Sequence, residues 1–347
     1  SAADAAPRFA QTVLTLAVMV MSASSLLLLI LAPATVRLVA PGFDESSQEL
    51  YLDLYRVMLL TPIIFGASIT LGEVLVAERQ FLYYALAPIL YNLGIAGGTL
   101  LLHDRMGIMA AAVGAVIGAS LHLGIRIVGM RRTTVRIRPR LDLRMPALRE
   151  FLGLMLPKMI SHPIEPLAFL FFTAVATTLV AGSVSAVSFA RNFQSVPVAL
   201  FGVSIALAAF PGLSAAWATG DRGGFRREVR RNGLTIAVLS SIAAIGLVLV
   251  GPLAIEVLLG GGRFDAEDVQ LTAMALTVFA LAVPFDAMGH LVARGLYATH
   301  NTLLPVLASI AGFAVTVAVT LATVGPLGIL SIPLGFLAGT AVRVVLQ

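Results

Sequence analysis

Four stretches of the 347-residue chain, 9–36, 166–190, 192–220 and 295–342, contain no Asp, Glu, Lys or Arg. A run of about 20 apolar residues crosses a bilayer as a helix. Each of these four runs is longer than that. They are continuous rather than alternating, which favours helices over the strands of a barrel. With 59% hydrophobic and 12% charged residues and a mean hydropathy of +0.96, the chain reads as an all-α polytopic membrane protein. The second and third runs are separated by one residue, Arg191.

Charge clusters and Gly/Pro turns divide the chain into ten candidate spans: 10–36, 52–76, 81–102, 107–129, 151–179, 184–217, 233–259, 268–298, 302–324 and 327–346. Alternate connections then share one side. One set holds "RIVGMRRTTVRIRPRLDLRMPALR" and "GDRGGFRREVRRN", with eight and five arginines. The other holds "APGFDESSQE", "HDRM" and "GGGRFDAEDV", where acids equal or outnumber bases. The positive-inside rule makes the first set cytoplasmic, and an even number of spans leaves both ends cytoplasmic as well. The pI near 10.1 thus reflects arginines beside membrane spans, which face anionic lipid headgroups rather than nucleic acid. With no cysteine in the sequence, disulfides and thiolate metal sites are excluded.

A shift of 221 residues aligns Phe43-Asp44 with Phe264-Asp265, Gly107-Ile108 with Gly328-Ile329, Gly114 with Gly335 and Gly118 with Gly339. Such repeats are common in transporters, and this one starts both copies on the same side, which makes it a parallel repeat of six helices. Residues 222–347 then repeat residues 1–126. The two spans within 151–221 expect counterparts before residue 1, about 70 residues carrying two helices by extension of the repeat. The domain reading is an N-terminal lobe at 1–130 lacking its first two helices, a basic cytoplasmic linker at 131–150, and a six-helix lobe at 151–347.

An ionisable residue inside a membrane span costs about 2.5–3.5 kcal/mol on insertion scales and usually faces a wet interior or a partner. Three groups qualify. "PKMISHPIEP" sets Lys158, His162 and Glu165 on one helical face among Pro157, Pro163 and Pro166, which should kink the span. Arg191 stands with Asn192, Gln194 and Ser195 in the sixth span. "PFDAMGHLVARG" sets Asp286, His290 and Arg294 on one face of the eighth. One reading is a cavity in which Lys158, Arg191 and Arg294 bind an anionic group such as a phosphate, with Asp286, His290, Glu165, His162, Asn192 and Gln194 as polar lining or coupling groups. The other has Lys158 and Arg294 snorkelling to the interface while the histidines and carboxylates hold helices together. The five histidines show no metal-ligand spacing, and no aqueous segment is long enough for a catalytic site, so the chain does not read as an enzyme.

Three segments in order, "VAPGFD" at 39–44, "FARNFQSVPVALFGVSIALAAFPGLS" at 189–214 and "VARGLYATHNTLLP" at 292–305, resemble the MurJ/MviN lipid II flippase family of the MOP exporter superfamily. The resemblance covers nearly the whole chain and places it over family helices three to twelve. It implies a bacterial inner-membrane flippase that carries the undecaprenyl-pyrophosphate-linked peptidoglycan precursor outward by alternating access between lobes, without a cofactor. Cell-wall synthesis proteins would be possible partners. Arg191 falls on that family's functional arginine of helix eight, where it would bind the lipid pyrophosphate. The family's other cavity arginines lie in its first two helices, outside this sequence, as are the two last helices of its lipid groove, so the residues given would not suffice for transport. Some members hold sodium on acids near helices seven and eleven. No acid occurs in 302–324, so no sodium site is carried over, and proton coupling through Glu165 and His162 stays open. Other exporters of the superfamily, for a different lipid-linked oligosaccharide or for drugs, and a non-transporting scaffold for cell-wall synthesis are the alternatives.

Overall fold

The computed structural model describes residues 5–161, 164–262 and 264–347, with the side chains of 154 and 156–161 outside that description. Among the described residues there is no strand, and the nearest approach to one is an isolated bridge between Gly261 and Phe264. In lipid every backbone N–H and C=O must find its partner within its own segment, and a chain this apolar meets that demand as helix.

Two compact units divide the chain: residues up to Leu38 with Phe43–Ile160, and Val39–Gly42 with Ser161–Gln347. The first contains α1 (Ala5–Ile30), α2 (Ala32–Val39), α3 (Glu45–Met58), α4 (Leu60–Ala77), α5 (Phe81–Met106) and α6 (Met109–Met130), and nearly all of α7 (Pro146–Ser161). The second contains α8 (Ile164–Thr177), α9 (Ser183–Pro197), α10 (Ser204–Ala218), α11 (Arg222–Leu259), α12 (Ala266–Ala298), α13 (Leu303–Leu327) and α14 (Ser331–Leu346). A wide π-helical turn at Val198–Val203 joins α9 to α10, and a 3-10 turn at Gly328–Leu330 joins α13 to α14. Among the described residues, eight helical stretches are long and apolar enough to cross a membrane. One of these, Leu303–Leu346, folds back on itself as the α13–α14 hairpin. The span expected at 151–179 falls on α7 and α8, which run through Pro157 and resume at Ile164, with His162 and Pro163 outside the described residues.

The 221-residue repeat reappears as three-dimensional structure. Shifted by that amount, α5 and α6 superimpose in sequence on α13 and α14, the pair α3–α4 on the single helix α12, and α1–α2 on the single helix α11. Backbone exceptions recur at the same offset. Arg79 and His300 both hold positive φ, at 58° and 62°, and Gly107 and Gly328 do so at 55° and 52°. Asp44 and Asp265 both stand at helix N-caps. Asp265 caps α12 by accepting the N–H groups of Glu267 at 2.9 Å and Asp268 at 3.1 Å. Asp44 instead accepts the Ser46 hydroxyl at 2.5 Å, and hydrogen bonds from Ser46 and Ser47 hold its carboxyl below the usual carboxylate range.

Residues 222–232, expected to lie in a cytoplasmic loop, form the first three turns of α11 instead. Asp221 starts the helix by accepting the N–H of Gly224 at 2.7 Å, and Glu228 pairs with Arg231 at 2.9 Å on the exposed face. Arg and Glu are good helix formers, so a charge cluster marks where the chain leaves lipid without marking where the helix ends.

Small residues hold the hairpins. Gly94 meets Gly118 and Gly98 meets Gly114 backbone to backbone between α5 and α6. Between α13 and α14, Gly339 lies against Gly312 and Thr316, and Gly335 against Thr316 and Thr320. Such close approach replaces the hydrophobic drive that lipid removes. The remaining apolar side chains largely face outward, as with Leu101 at 82% and Leu249 at 74% exposed. The second unit still has a core of its own, where Ile255, Leu276, Phe279 and Ile332 are fully buried.

A methyl group added at Gly118 would collide with the Tyr91 carbonyl, whereas one at Gly97, on the same helix pair, meets nothing within 4 Å. Gly118→Ala should therefore cost about 1–3 kcal/mol, the usual penalty of overpacking, and lower the melting temperature of the detergent-solubilised protein. Gly97→Ala should leave the melting curve in place or raise it slightly.

Candidate functional site

Helix α12 runs through the second unit packed by α9, α11 and α14, and it carries a carboxylate where its neighbours close over it. Asp286 has only 7% of its side chain exposed. Two helices supply its partners. From α14, Arg343 donates through Nη2 to Oδ1 at 2.9 Å. From α9, Gln194 donates through Nε2 to Oδ2 at 3.3 Å, and Arg191 brings Nη1 to 3.9 Å from the same oxygen. Arg191 also donates to Gln194 Oε1, a contact that their i, i+3 spacing on α9 permits. A second carboxylate, Glu165 of α8, lies 3.8 Å from Arg191 Nη2 but is 88% exposed. The guanidinium of Arg191 sits over the ring of Phe336, 4.5 Å from its centre, two turns before Arg343 on α14.

Two guanidiniums and two carboxylates are thus gathered in one place. The buried carboxylate of Asp286 is tolerated because it has charged partners, and leaving such a group unpaired typically costs about 3–5 kcal/mol. The sequence makes room for it. A methyl group on Gly289, one turn from Asp286, would lie 2.8 Å from Nη2 of Arg343. Arg191 and Arg343 keep 20% and 26% of their side chains exposed, so the cationic edge is reachable while the carboxylate beneath it is not.

The other residues singled out from the sequence fall as follows. His290, one turn beyond Asp286, interacts electrostatically with Asp286, Arg343, Glu165 and Arg294. Arg294 lies two turns beyond Asp286 with its guanidinium 5.7 Å from the centre of the Phe210 ring of α10; its described contacts do not include Arg191. Asn192 is exposed, and its carbonyl accepts the Ser195 hydroxyl at 2.7 Å. The Lys158 side chain and the whole of His162 lie outside the described residues. Arg343 was not among the sequence candidates, because it is the charge at which the run 295–342 stops. The repeat was the available signal, since a shift of 221 places His122 on Arg343.

In the first unit the three equivalent positions hold no carboxylate and no guanidinium. Asp286, Gly289 and Arg343 shift onto Phe65, Ser68 and His122. Ser68 Oγ lies 2.7 Å from His122 Nδ1, and the rings of Phe65 and Tyr91 stand edge-on to His122 at 5.1 and 6.4 Å. Arg126, one turn further on α6 and only 4% exposed, donates to the Ser68 carbonyl at 2.6 Å and lies over Tyr84. The same scaffold therefore holds an ionic cluster in one unit and a hydrogen-bonded aromatic cluster in the other.

Comparison with known proteins gives consistent results. The family model described as lipid II flippase MurJ matches residues 1–347. A lipid II flippase MurJ of Burkholderia cenocepacia is 24% identical over 286 residues, which is 80% of this chain and 55% of that protein. A probable lipid II flippase MurJ of Thermotoga maritima is 27% identical over 305 residues, 86% of this chain and 61% of that one. The chain thus spans little more than half the length of the curated relatives it matches. Among solved structures, an inward closed lipid II flippase MurJ superposes with a TM-score of 0.81 at 19% identity, covering 98% of this chain and 71% of that one. An inward-facing multidrug resistance MATE family transporter of the MOP superfamily gives 0.83 at 15% identity, covering 98% and 79%. At those identities the structural likenesses establish the fold, which the two transporter groups share. The match along the whole length decides between them: the chain belongs to the lipid II flippase MurJ family.

Proposed function

We propose that the protein translocates a lipid-linked peptidoglycan precursor, lipid II, across the bacterial cytoplasmic membrane by alternating access, with its arginine-rich segments on the cytoplasmic side, and that it works as a transporter rather than an enzyme. The observation that carries this reading is the position of Arg191. It is a permanently charged group within an apolar helical stretch, partly exposed, and stacked on Phe336. A guanidinium so placed is suited to phosphate oxygens, which it can bind in pairs. The names carried by the relatives support the same substrate. A drug exporter of the same fold is the rival, and an arginine pair favours a phosphorylated lipid over a cationic drug.

Complementation of a flippase-depleted bacterium with the natural gene tests the reading. Wild type should restore growth, and Arg191→Ala should fail at matched membrane levels. Arg191→Lys should also fail, because an ammonium supplies the charge without the paired donors. Growth without impairment on Arg191→Ala would remove this arginine from the substrate site. Failure of a well-expressed wild type would favour another exported molecule or a scaffold.

A further inference from the structure

The arginines are already occupied. Asp286 holds Arg343 at hydrogen-bonding distance, 2.9 Å, but stands 3.9 Å from Arg191, and Glu165 stands at a similar 3.8 Å. Among the described residues the hydrogen-bond acceptor of Arg191 is Gln194, and Arg343 Nε is buried without a partner. A guanidinium offers five N–H donors. The pair therefore presents more donors than Asp286 uses, and a phosphate has more oxygens than a carboxylate with which to meet them.

We infer that Asp286 is an internal competitor for anions: its carboxylate pairs with Arg343 and partly offsets the charge of Arg191 when no anion is bound, and a phosphate of the head group binds by drawing Arg191, and then Arg343, away from it. This rests on the proposed function and extends it by assigning Arg343 to the binding site and Asp286 to release. The carboxylate lies beneath the two partly exposed guanidiniums, so an arriving anion meets the cations first and the buried negative charge repels it from behind. A transporter must let go of what it binds. A fixed anion behind the site limits affinity without removing the cations that give specificity. Glu165, Gln194 and His290 are the other polar groups facing the pair. None of them is both buried and anionic, so Asp286 holds this role alone among the described residues.

The full-length protein in detergent would be titrated calorimetrically with inorganic pyrophosphate and, separately, with farnesyl pyrophosphate. Asp286→Asn, which keeps the shape and the contact with Gln194, should tighten both by about tenfold or more through loss of the repulsion. It should nevertheless complement poorly, because release slows. Arg343→Gln should weaken both by a similar factor. Should Asp286→Asn fail to fold, the charge-balanced Asp286→Asn/Arg343→Gln pair compared with Arg343→Gln alone gives the same comparison, with tighter binding expected in the double variant. Unchanged or weaker pyrophosphate binding on removing the carboxylate overturns the inference. So does binding of free pyrophosphate that farnesyl pyrophosphate does not match, which would make the site one for a free anion. If wild type fails to complement while the titrations behave as stated, the flippase reading falls and the competitor stands. If wild type complements and the titrations do not respond to Asp286, the competitor alone falls.

Discussion

A carboxylate inside a membrane helix has to be neutralised by something its own helix cannot supply, and Asp286 is neutralised by Arg343 from α14 and Arg191 from α9. That requirement fixes more than the site. Three helices must approach within reach of one side chain, Gly289 must lack a side chain so that Arg343 can lie flat, and Gln194 must bridge what Arg191 does not reach. In lipid, where apolar contact gives helices little reason to prefer one neighbour over another, a polar anchor of this kind specifies which helices meet and in what rotation.

The repeat shows that the scaffold itself does not need these charges. With α5 and α6 matched to α13 and α14, positive φ at the same positions and a close-packed hairpin in each copy, the first unit places Phe65, Ser68 and His122 where the second has Asp286, Gly289 and Arg343. His122 finds a serine and two aromatic rings, and Arg126 takes a backbone carbonyl. Fold and site are separable in this chain: the duplicated backbone is the constant, and the ionic cluster is an addition to one copy.

The fold was legible in the sequence because its determinants are local. Long charge-free runs mark the spans, and the recurrence of Gly107-Ile108, Gly114 and Gly118 at 328, 329, 335 and 339 marks the repeat. Half of the site was legible as well. Arg191 stands out against an apolar background, Gln194 follows it at helical spacing, and Asp286 is too costly in a span to be incidental. Its pairing was not. Which helix faces which is tertiary information, and periodicity along α12 groups Asp286 with Arg294, which lies over Phe210 instead. Arg343 was hidden by the way spans are drawn, since a charge near the end of a run is read as a boundary. The arginines of 222–231 were misplaced for the opposite reason, because solvent-exposed charge and helix termination are different properties.

The glycine seams between α5 and α6 and between α13 and α14 have a mechanical consequence. Where backbones meet over glycine, with only the Thr316 and Thr320 side chains intervening between α13 and α14, there is little compliant layer to shear, and each hairpin should behave more as one stiff rod than as two helices. Stiffness in these parts concentrates any change of shape in the joints that lack such seams. Such joints include the breaks at Leu31 and Leu59, the link 178–182 with Gly182 at positive φ, and the widened turn at Val198–Val203, where Gly202 lies against Ala287, next in sequence to the buried carboxylate. The second unit therefore has its loosest helical turn and its most tightly bound charge on adjoining surfaces.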